Sequence, residues 1–328
     1  MRKEPVLSVR DLTKTFKVRE RGFLSKKQDL HALRNVSIDL YEGETLGVIG
    51  ESGCGKSTLG KCIVRLHKPT SGSILYQGVD IAKSSLKEMK PFRKDIQMIF
   101  QDPFSSLDLR MTALQSIEEA LIIHHIEEDK SKRIQMALDI LKEVGLDAQY
   151  ANRYPHEFSG GQRQRINIGR AIALQPKIIV CDEPVSALDV SIQAQVINLL
   201  KEIQRERKLT YLFISHDLSV VRHMSDRIAI MYLGQLVEIC RSEEIYRNPL
   251  HPYTKALLSA IPPESPFENK QKIQLTGDVP SPIGIKNECA FASRCPYVKP
   301  ECKAGIPQLK TVDGDHQVAC RLFDESAI

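Results

Sequence analysis

The sequence predicts an α/β fold built on buried parallel strands, with a loop-rich extension at its C-terminal end. Three observations predict it. Strand-length runs that are apolar on both faces alternate with helical stripes of apolar residues. A glycine-rich turn stands between the first of these strands and its helix. Ten of the 17 prolines fall between Pro249 and Pro307, so the regular alternation gives way near residue 245. The 328 residues are 42% hydrophobic and 27% charged. Those values are ordinary for globular chains, which excludes disorder and collagen-like repetition and allows a sizeable core in about two domains.

Taken in chain order, Thr45–Ile49 reads as a short apolar strand, and the helix beyond the glycine-rich turn carries Leu59, Ile63 and Leu66 on one face. Ile96–Phe100 is a further apolar run. The segment from about 102 to 159 is mostly helical in pattern: Ile134, Leu138 and Leu141 sit at i, i+4 and i+7, and Gly145 is a natural C-terminal stop. It reads as a helical insertion into the α/β core. Ile178–Cys181 and Tyr211–Ile214 are strands, with Ile192, Val196, Leu199 and Ile203 forming a helical stripe between them. Arg227–Met231 and Gln235–Cys240 flank Leu233-Gly234 and read as a hairpin. The expected division is residues 1–245 and 246–328.

Net charge is 46 − 41 = +5. That balance suits nucleotides, polyanions or acidic membrane surfaces and is too small to argue for nucleic acid. No apolar run approaches the roughly 18 residues that a membrane span needs. Met1-Arg2-Lys3-Glu4-Pro5 leads into polar sequence rather than the apolar core of a signal peptide, so a cytosolic protein is expected. In that reducing compartment the eight cysteines are not expected to form a disulfide framework.

Gly50-Glu51-Ser52-Gly53-Cys54-Gly55-Lys56-Ser57 fits the phosphate-loop pattern G-x-x-x-x-G-K-[ST], with a strand before it and a helix after it. Glycines let successive backbone N–H groups face one concavity around phosphate oxygens, and the helix start adds its positive dipole end. Lys56 would bridge the β- and γ-phosphates of ATP, the Ser57 hydroxyl would ligate Mg²⁺, and Thr58 would be a further phosphate contact. Cys54, near a helix N-terminus and a lysine, is expected to have a depressed pKa and to block nucleotide binding when alkylated.

The strand Ile178–Cys181 runs into Asp182-Glu183. Strand ends of this kind deliver carboxylates to the edge where α/β sheets bind ligands. Asp182 would hold Mg²⁺ and Glu183 would polarise the attacking water as general base. His216, after the strand Tyr211–Ser215, would sit beside the γ-phosphate as hydrogen-bond partner and sensor. Gln101, after Ile96–Phe100, would reach Mg²⁺ or the water. Phosphoryl transfer is mostly positioning and charge stabilisation, so these few groups suffice.

Phe158-Ser159-Gly160-Gly161-Gln162-Arg163-Gln164-Arg165 opens another helix, continued by Ile166, Ala171 and Leu174. Its start is a second N-terminus ready for an anion. With this run in place, residues Val6 to Cys240 resemble the ATP-binding subunit of ABC transporters, a P-loop NTPase with a RecA-like core, an antiparallel β subdomain and a helical insertion. The resemblance implies that Ser159, Gly160, Gly161 and Gln162 cover ATP held on the phosphate loop of a facing subunit. It matches Gln101 to the Q-loop, Ser186-Ala187-Leu188-Asp189 to the D-loop with Asp189 at the nucleotide, His216 to the switch histidine and Phe16 to the aromatic that stacks on adenine. Phe158 departs from the commoner leucine, a change in packing rather than in phosphate contact. A soluble ABC-type ATPase of DNA repair or translation is the rival class; the single module and the lack of a heptad run weigh against it.

Asn248-Pro249-Leu250-His251-Pro252-Tyr253-Thr254 and Cys289-Ala290-Phe291-Ala292-Ser293-Arg294-Cys295-Pro296 are similar to the tail of oligopeptide and dipeptide importer ATPases. Nickel importers of that subfamily are near relatives, so peptide and nickel both stand as solutes. The resemblance implies a heterodimer with a sister ATPase, two membrane permease subunits, an extracytoplasmic solute-binding protein, no nucleic acid, and a place at the cytoplasmic face of the cell membrane as a peripheral protein. Cys289, Cys295, Cys302 and Cys320 are separated by five, six and seventeen residues. Paired zinc knuckles are absent, and four thiolates can hold an iron–sulfur cluster; the resemblance implies [4Fe-4S], with zinc and uncommitted thiols as the other readings.

Overall fold

The computed structural model describes residues 4–19, 27–261, 272–275 and 277–324. Twelve strands and nine α-helices follow one another among them. The N-terminal stretch holds β1 (Pro5–Arg19), β2 (Lys27–Tyr41), β3 (Thr45–Ile49), α1 (Lys56–Ile63), β4 (Ser71–Tyr76) and β5 (Val79–Asp80). Next come α2 (Met89–Asp95), β6 (Ile96–Ile99), α3 (Ala113–Ile123), α4 (Lys130–Glu143), α5 (Gly160–Ile172), β7 (Ile178–Asp182), α6 (Val190–Arg207) and β8 (Thr210–Ile214). The chain closes with α7 (Leu218–Met224), β9 (Arg227–Tyr232), β10 (Gln235–Arg241), α8 (Ser242–Arg247), α9 (Pro252–Ser259), β11 (Lys310–Asp313) and β12 (His316–Val318).

These elements divide into two compact units. One comprises Tyr41–Thr45 and Ser84–Ile214 with Glu4; the other comprises Pro5–Leu40, Leu46–Lys83 and the chain from Ser215 onward. In the first unit β6, β7 and β8 lie side by side in parallel, with Met98 opposite Val180 and Val180 opposite Leu212. Every residue of β7 and β8 is buried, as their two-faced apolar composition requires. Burying each such aliphatic side chain stabilises by about 1.5–3 kcal/mol. Helix α6 turns Val196, Leu199, Leu200 and Ile203 inward, the expected stripe with Ile192 only half-buried at its edge.

Residues 102–159 of this unit carry α3, α4 and two short 3-10 turns. Helix α3 starts on a capping box, with Thr112 Oγ1 accepting the Gln115 N–H and Gln115 Oε1 accepting the Thr112 N–H. In α4 the buried positions are Ala137, Ile140 and Leu141, while Ile134 and Leu138 are half-buried. The apolar face is thus rotated from the one the i, i+4, i+7 spacing suggests. Gly145, with φ 75°, follows the C-cap as expected.

In the second unit β3 and β9 are parallel, β9 and β10 form the expected hairpin through Leu233 and Gly234, and β10 pairs with β12 and β12 with β11. A separate antiparallel sheet runs in the order β2-β1-β4-β5. Helix α1 buries Leu59 and Ile63 but ends there. Arg65 turns left-handed at φ 59°, and Leu66 points outward with 56% exposure, so it is no part of the stripe expected of it. The C-terminal extension contributes α9 and the β11–β12 hairpin, which adds two strands to the β10 edge.

Candidate nucleotide site

The second unit holds the phosphate loop between β3 and α1. Gly53 and Gly55 take φ of 78° and 105°, a region that favours glycine. Gly50 is needed for space: a Cβ there would stand 2.2 Å from Met231 O and 2.6 Å from Cys54 Sγ. The loop lets α1 begin at Lys56 with no side-chain cap and no acid in its first turn, the arrangement that leaves a helix N-terminus for an anion. Lys56 is buried, its Nζ donating to Gly50 O at 2.7 Å and Glu51 O at 3.1 Å. The lysine expected to meet phosphate is therefore parked on carbonyls of its own loop. Ser57 and Thr58 follow it on the first turn of α1.

Cys54 lacks the depressed pKa expected of it. The thiol is buried, and burial pushes its pKa up; Lys56, 3.9 Å from Sγ, pulls the other way without prevailing. Desolvation outweighs one cation here because it acts on the thiolate from every side. Phe16 is half-buried on β1, edge-on to His67 with ring centroids 5.4 Å apart and with Lys14 Nζ 4.7 Å from its ring centre. His216 is exposed, one residue before Asp217, whose Oδ1 caps α7 by accepting the Ser219 and Val220 N–H groups.

The first unit holds the carboxylates. Asp182 is buried as the last residue of β7. Glu183 follows in the left-handed region at φ 48°, its N–H donating to Ile214 O at 2.9 Å. Such a backbone costs a non-glycine residue free energy, and the structure keeps it where the carboxylate is aimed. Gln101, just beyond β6, donates from Nε2 to Glu183 Oε2 at 2.9 Å. Two residues 82 apart in sequence are thus brought together.

The Ser-Gly-Gly-Gln run caps α5 with its own side chains. Ser159 Oγ accepts the Gln162 N–H at 3.3 Å, and Gln162 Oε1 accepts the Ser159 N–H at 3.0 Å. Gly161 is there for packing, since a Cβ would stand 2.4 Å from Ile192 Cγ2; at Gly160 it would meet only Leu188 Cδ2, at 3.4 Å. Asp189 is exposed at the N-cap of α6 without capping it. Phe158 is buried, its ring centroid 6.2 Å from that of Tyr150. A shallow, open surface depression of about 610 Å³ is lined by Ser105 to Arg110 with Glu119 and Arg170.

The four tail cysteines do not form the expected four-thiolate cage. Among the described residues no group of three or more His, Cys, Asp or Glu is assembled to hold a metal ion. Charge on Cys289, Cys295 and Cys302 reaches Cys320, but burial dominates and pushes the Cys320 thiol up to about 11 and those of Cys289 and Cys295 upward. Cys295 and Cys302 sulfurs instead accept the backbone N–H groups of Tyr297 and Lys299. Neutral, desolvated thiols have no drive to converge without a metal.

Three residues at the phosphate loop escape sequence reasoning. The Tyr253 hydroxyl accepts the Glu51 N–H at 3.1 Å, and Arg294 Nη1 contacts both Glu51 carboxylate oxygens and the Tyr232 hydroxyl. Only Tyr253 and Arg294 lie in stretches with any sequence signal, the Pro- and Cys-rich runs of the extension.

Comparison with known proteins gives two family matches, "ABC transporter" over residues 33–186 and "Oligopeptide/dipeptide transporter, C-terminal region" over residues 237–302. The chain is 51% identical over 323 residues to the oligopeptide transport ATP-binding protein AppF of Bacillus subtilis, covering 98% of each chain. It is 49% identical to the oligopeptide transport ATP-binding protein OppF of Salmonella typhimurium, covering 97% of this chain and 96% of the other. Among solved structures, the ATP-binding cassette MJ0796, dimeric in a post-hydrolysis state bound to ADP and phosphate, matches with TM-score 0.65 and 32% identity over 72% of this chain and 98% of its own.

Proposed function

The chain belongs to the ATP-binding proteins of ABC transporters, in their oligopeptide-transport branch, and from that premise we infer that it hydrolyses ATP to power import of oligopeptides or dipeptides through a membrane transporter. The observation that carries the reading is the union, in one chain, of a phosphate loop with its lysine parked on loop carbonyls and the C-terminal region of oligopeptide transport proteins. Residues 1–245 form the ATPase part in this reading and 246–328 the extension.

On ATP binding, Lys56 exchanges Gly50 O and Glu51 O for the β- and γ-phosphates, and the loop N–H groups, with Ser52, Gly53, Cys54 and Gly55, cradle them. Thr58 adds a contact from the first turn of α1, and Phe16 stacks on adenine. Glu183, oriented by Gln101, takes a proton from the attacking water, and His216 hydrogen-bonds the γ-phosphate. Ser57, Gln101 and Asp182 offer the oxygen donors that Mg²⁺ takes. Bound there, Mg²⁺ neutralises charge on the phosphates.

Ser159, Gly160, Gly161, Gln162 and Asp189 face the ATP of a sister ATPase, with which the chain forms a heterodimer. ATP favours the closed pair because it binds that state better, and hydrolysis removes the preference. The segment after Gln101, with the open depression on Ser105 to Arg110, passes the motion to two membrane permease subunits, and an extracytoplasmic solute-binding protein delivers the peptide. No helix among the described residues is long and apolar enough to cross a membrane; docking on the permeases places the chain peripherally at the cytoplasmic face. In this reading Cys289, Cys295, Cys302 and Cys320 are the residues that would hold a [4Fe-4S] cluster, their thiolates supplying the four sulfur ligands it takes. Anaerobically purified protein that is colourless and free of iron and sulfide removes the cluster.

Uptake of a labelled peptide panel by intact cells tests the function. Glu183→Gln should abolish peptide uptake and leave amino-acid uptake intact, while the purified variant turns over ATP about 10²–10⁴ times more slowly. Unchanged peptide uptake would refute peptide as the solute, and an unchanged hydrolysis rate would remove Glu183 as the base.

A further inference from the structure

We propose that Arg294 of the C-terminal extension is a positioning residue of the nucleotide site: it neutralises Glu51, the carboxylate inside the phosphate loop, and thereby sets how tightly the loop takes a nucleoside triphosphate. The proposal deepens the ATP-site reading above and rests on it.

The loop is built to attract an anion, yet its second residue is an acid. A carboxylate in that place repels phosphate. Arg294 Nη1 stands 3.2 and 3.1 Å from the two Glu51 carboxylate oxygens and 3.4 Å from the Tyr232 hydroxyl. The side chains of Arg294 and Glu51 are 9% and 26% exposed, and part-buried pairs are screened much less than surface ones. The rest of Glu51 is occupied too. Its N–H goes to the Tyr253 hydroxyl, and its carbonyl accepts from Lys56 Nζ and the Cys54 N–H. The extension thus holds the same residue on which the phosphate-binding lysine is parked.

Packing aims the arginine. Phe291 is buried against the rings of Tyr232, Tyr253 and His251, at centroid distances of 5.3, 5.5 and 5.7 Å. The Arg294 N–H donates to Phe291 O at 3.0 Å, closing the turn that points the side chain at the loop. Among the described residues the side-chain acceptors of Arg294 are Glu51 and Tyr232, and its buried Nε has no hydrogen-bond partner. An arginine placed to stiffen the extension would spend its five donors on the extension. Among the described residues the one hydrogen-bonded side-chain nitrogen of Arg294, Nη1, goes to the loop and to β9.

The test is calorimetric titration of the full chain with Mg²⁺ and a non-hydrolysable ATP analogue, with thermal unfolding of each variant. K56A should lose binding. R294A should weaken binding roughly tenfold, the worth of one uncompensated charge near the phosphates. In an E51Q background the same change should cost less than about twofold, and R294K should stay within about threefold of wild type. The double variant lacks the arginine as R294A does, so recovered affinity there excludes collapse of the extension as the cause. Wild-type affinity in R294A overturns the proposal, as does an equal loss with and without Glu51. If K56A binds as tightly as wild type, the ATP-site reading itself falls and takes the proposal with it.

Discussion

Two glycine-rich turns open helices in this molecule, and they are held in opposite ways. Ser159–Gln162 supports itself, because the first and last side chains of the run satisfy each other's backbone N–H groups. Gly50–Ser57 is held from outside. The Gly234 N–H donates to Cys54 O at 2.8 Å, Tyr253 and Arg294 hold Glu51, and the backbone at Ala32 and Met231 leaves room for no Cβ at Gly55 or Gly50. One turn carries its hydrogen-bonded caps within four residues, packed from outside by the Ile192 side chain at Gly161; the other is held by backbone and side chains borrowed from parts of the chain up to 243 residues away. A self-capped turn should answer only to local change, and a borrowed one should answer to chemistry at a distance.

The largest expected effect runs through His251. This residue caps α9, its Nδ1 accepting the Tyr253 N–H at 3.0 Å, so it positions the tyrosine that holds Glu51. It is wholly buried, and burial pushes its pKa down to about 4, with Glu238 pulling the other way. In the unfolded chain the histidine takes a proton near pH 6.5, whereas the folded chain refuses it until about pH 4. The unfolded state therefore binds more protons across that window, and stability, complete above about pH 6.5, falls as pH is lowered through it. The loss is on the order of 3 kcal/mol at its end. Urea unfolding at pH 7 and pH 4.5 measures it. His251→Asn, which keeps an acceptor for the Tyr253 N–H, should flatten the slope; equal slopes in the two proteins would detach His251 from acid stability.

Next come the glycines. Gly50→Ala pushes a methyl to 2.2 Å from Met231 O. Backbone cannot step aside cheaply, so the loop or β9 moves, at about 1–3 kcal/mol of stability and roughly hundredfold in nucleotide affinity through misplaced N–H groups. Gly160→Ala meets only Leu188 Cδ2 at ordinary contact distance and should leave unfolding within about 0.5 kcal/mol of wild type. Thermal unfolding and nucleotide titration of the two variants separate the borrowed turn from the self-held one. Equal destabilisation would erase the distinction.

How much could be read from the sequence follows the same divide. The phosphate loop, β3 at Thr45–Ile49, the buried strands β7 and β8 and the turn at Leu233-Gly234 are written in local pattern, and they form where the pattern puts them. Leu66 was misplaced because Arg65, with no glycine to announce it, turns left-handed and ends the helical stripe. The β11–β12 hairpin had a signal in Asp313-Gly314 between alternating residues, overshadowed by the proline-rich and cysteine-rich surroundings. Arg294 and Tyr253 stand in runs with a sequence signal, but their contact with the phosphate loop had none, since their partner Glu51 lies more than 200 residues away. Cys54 failed in sign: the helix end and Lys56 are visible in sequence, but the depth of burial that outweighs them is not. The cysteine spacing, likewise, reveals the thiols but not whether they meet without a metal.

The smallest expected effects form a matched pair that tests the divide most sharply. Ser159→Ala and Tyr253→Phe each remove one oxygen that accepts a loop N–H. Each should cost about 1 kcal/mol in global unfolding, the usual worth of a cap or of a single hydrogen bond. Their consequences should spread differently. With Ser159 gone, amide exchange should quicken in the first turn of α5 and stop there, because among the described residues that hydroxyl holds the Gln162 N–H alone. With the Tyr253 hydroxyl gone, the Glu51 N–H is left without its acceptor, and exchange should quicken along the phosphate loop while α9, which keeps its His251 cap, stays protected. Quickened exchange throughout α9 in Tyr253→Phe would mean that the tyrosine serves its own helix first, and that the loop is less dependent on the extension than its contacts imply.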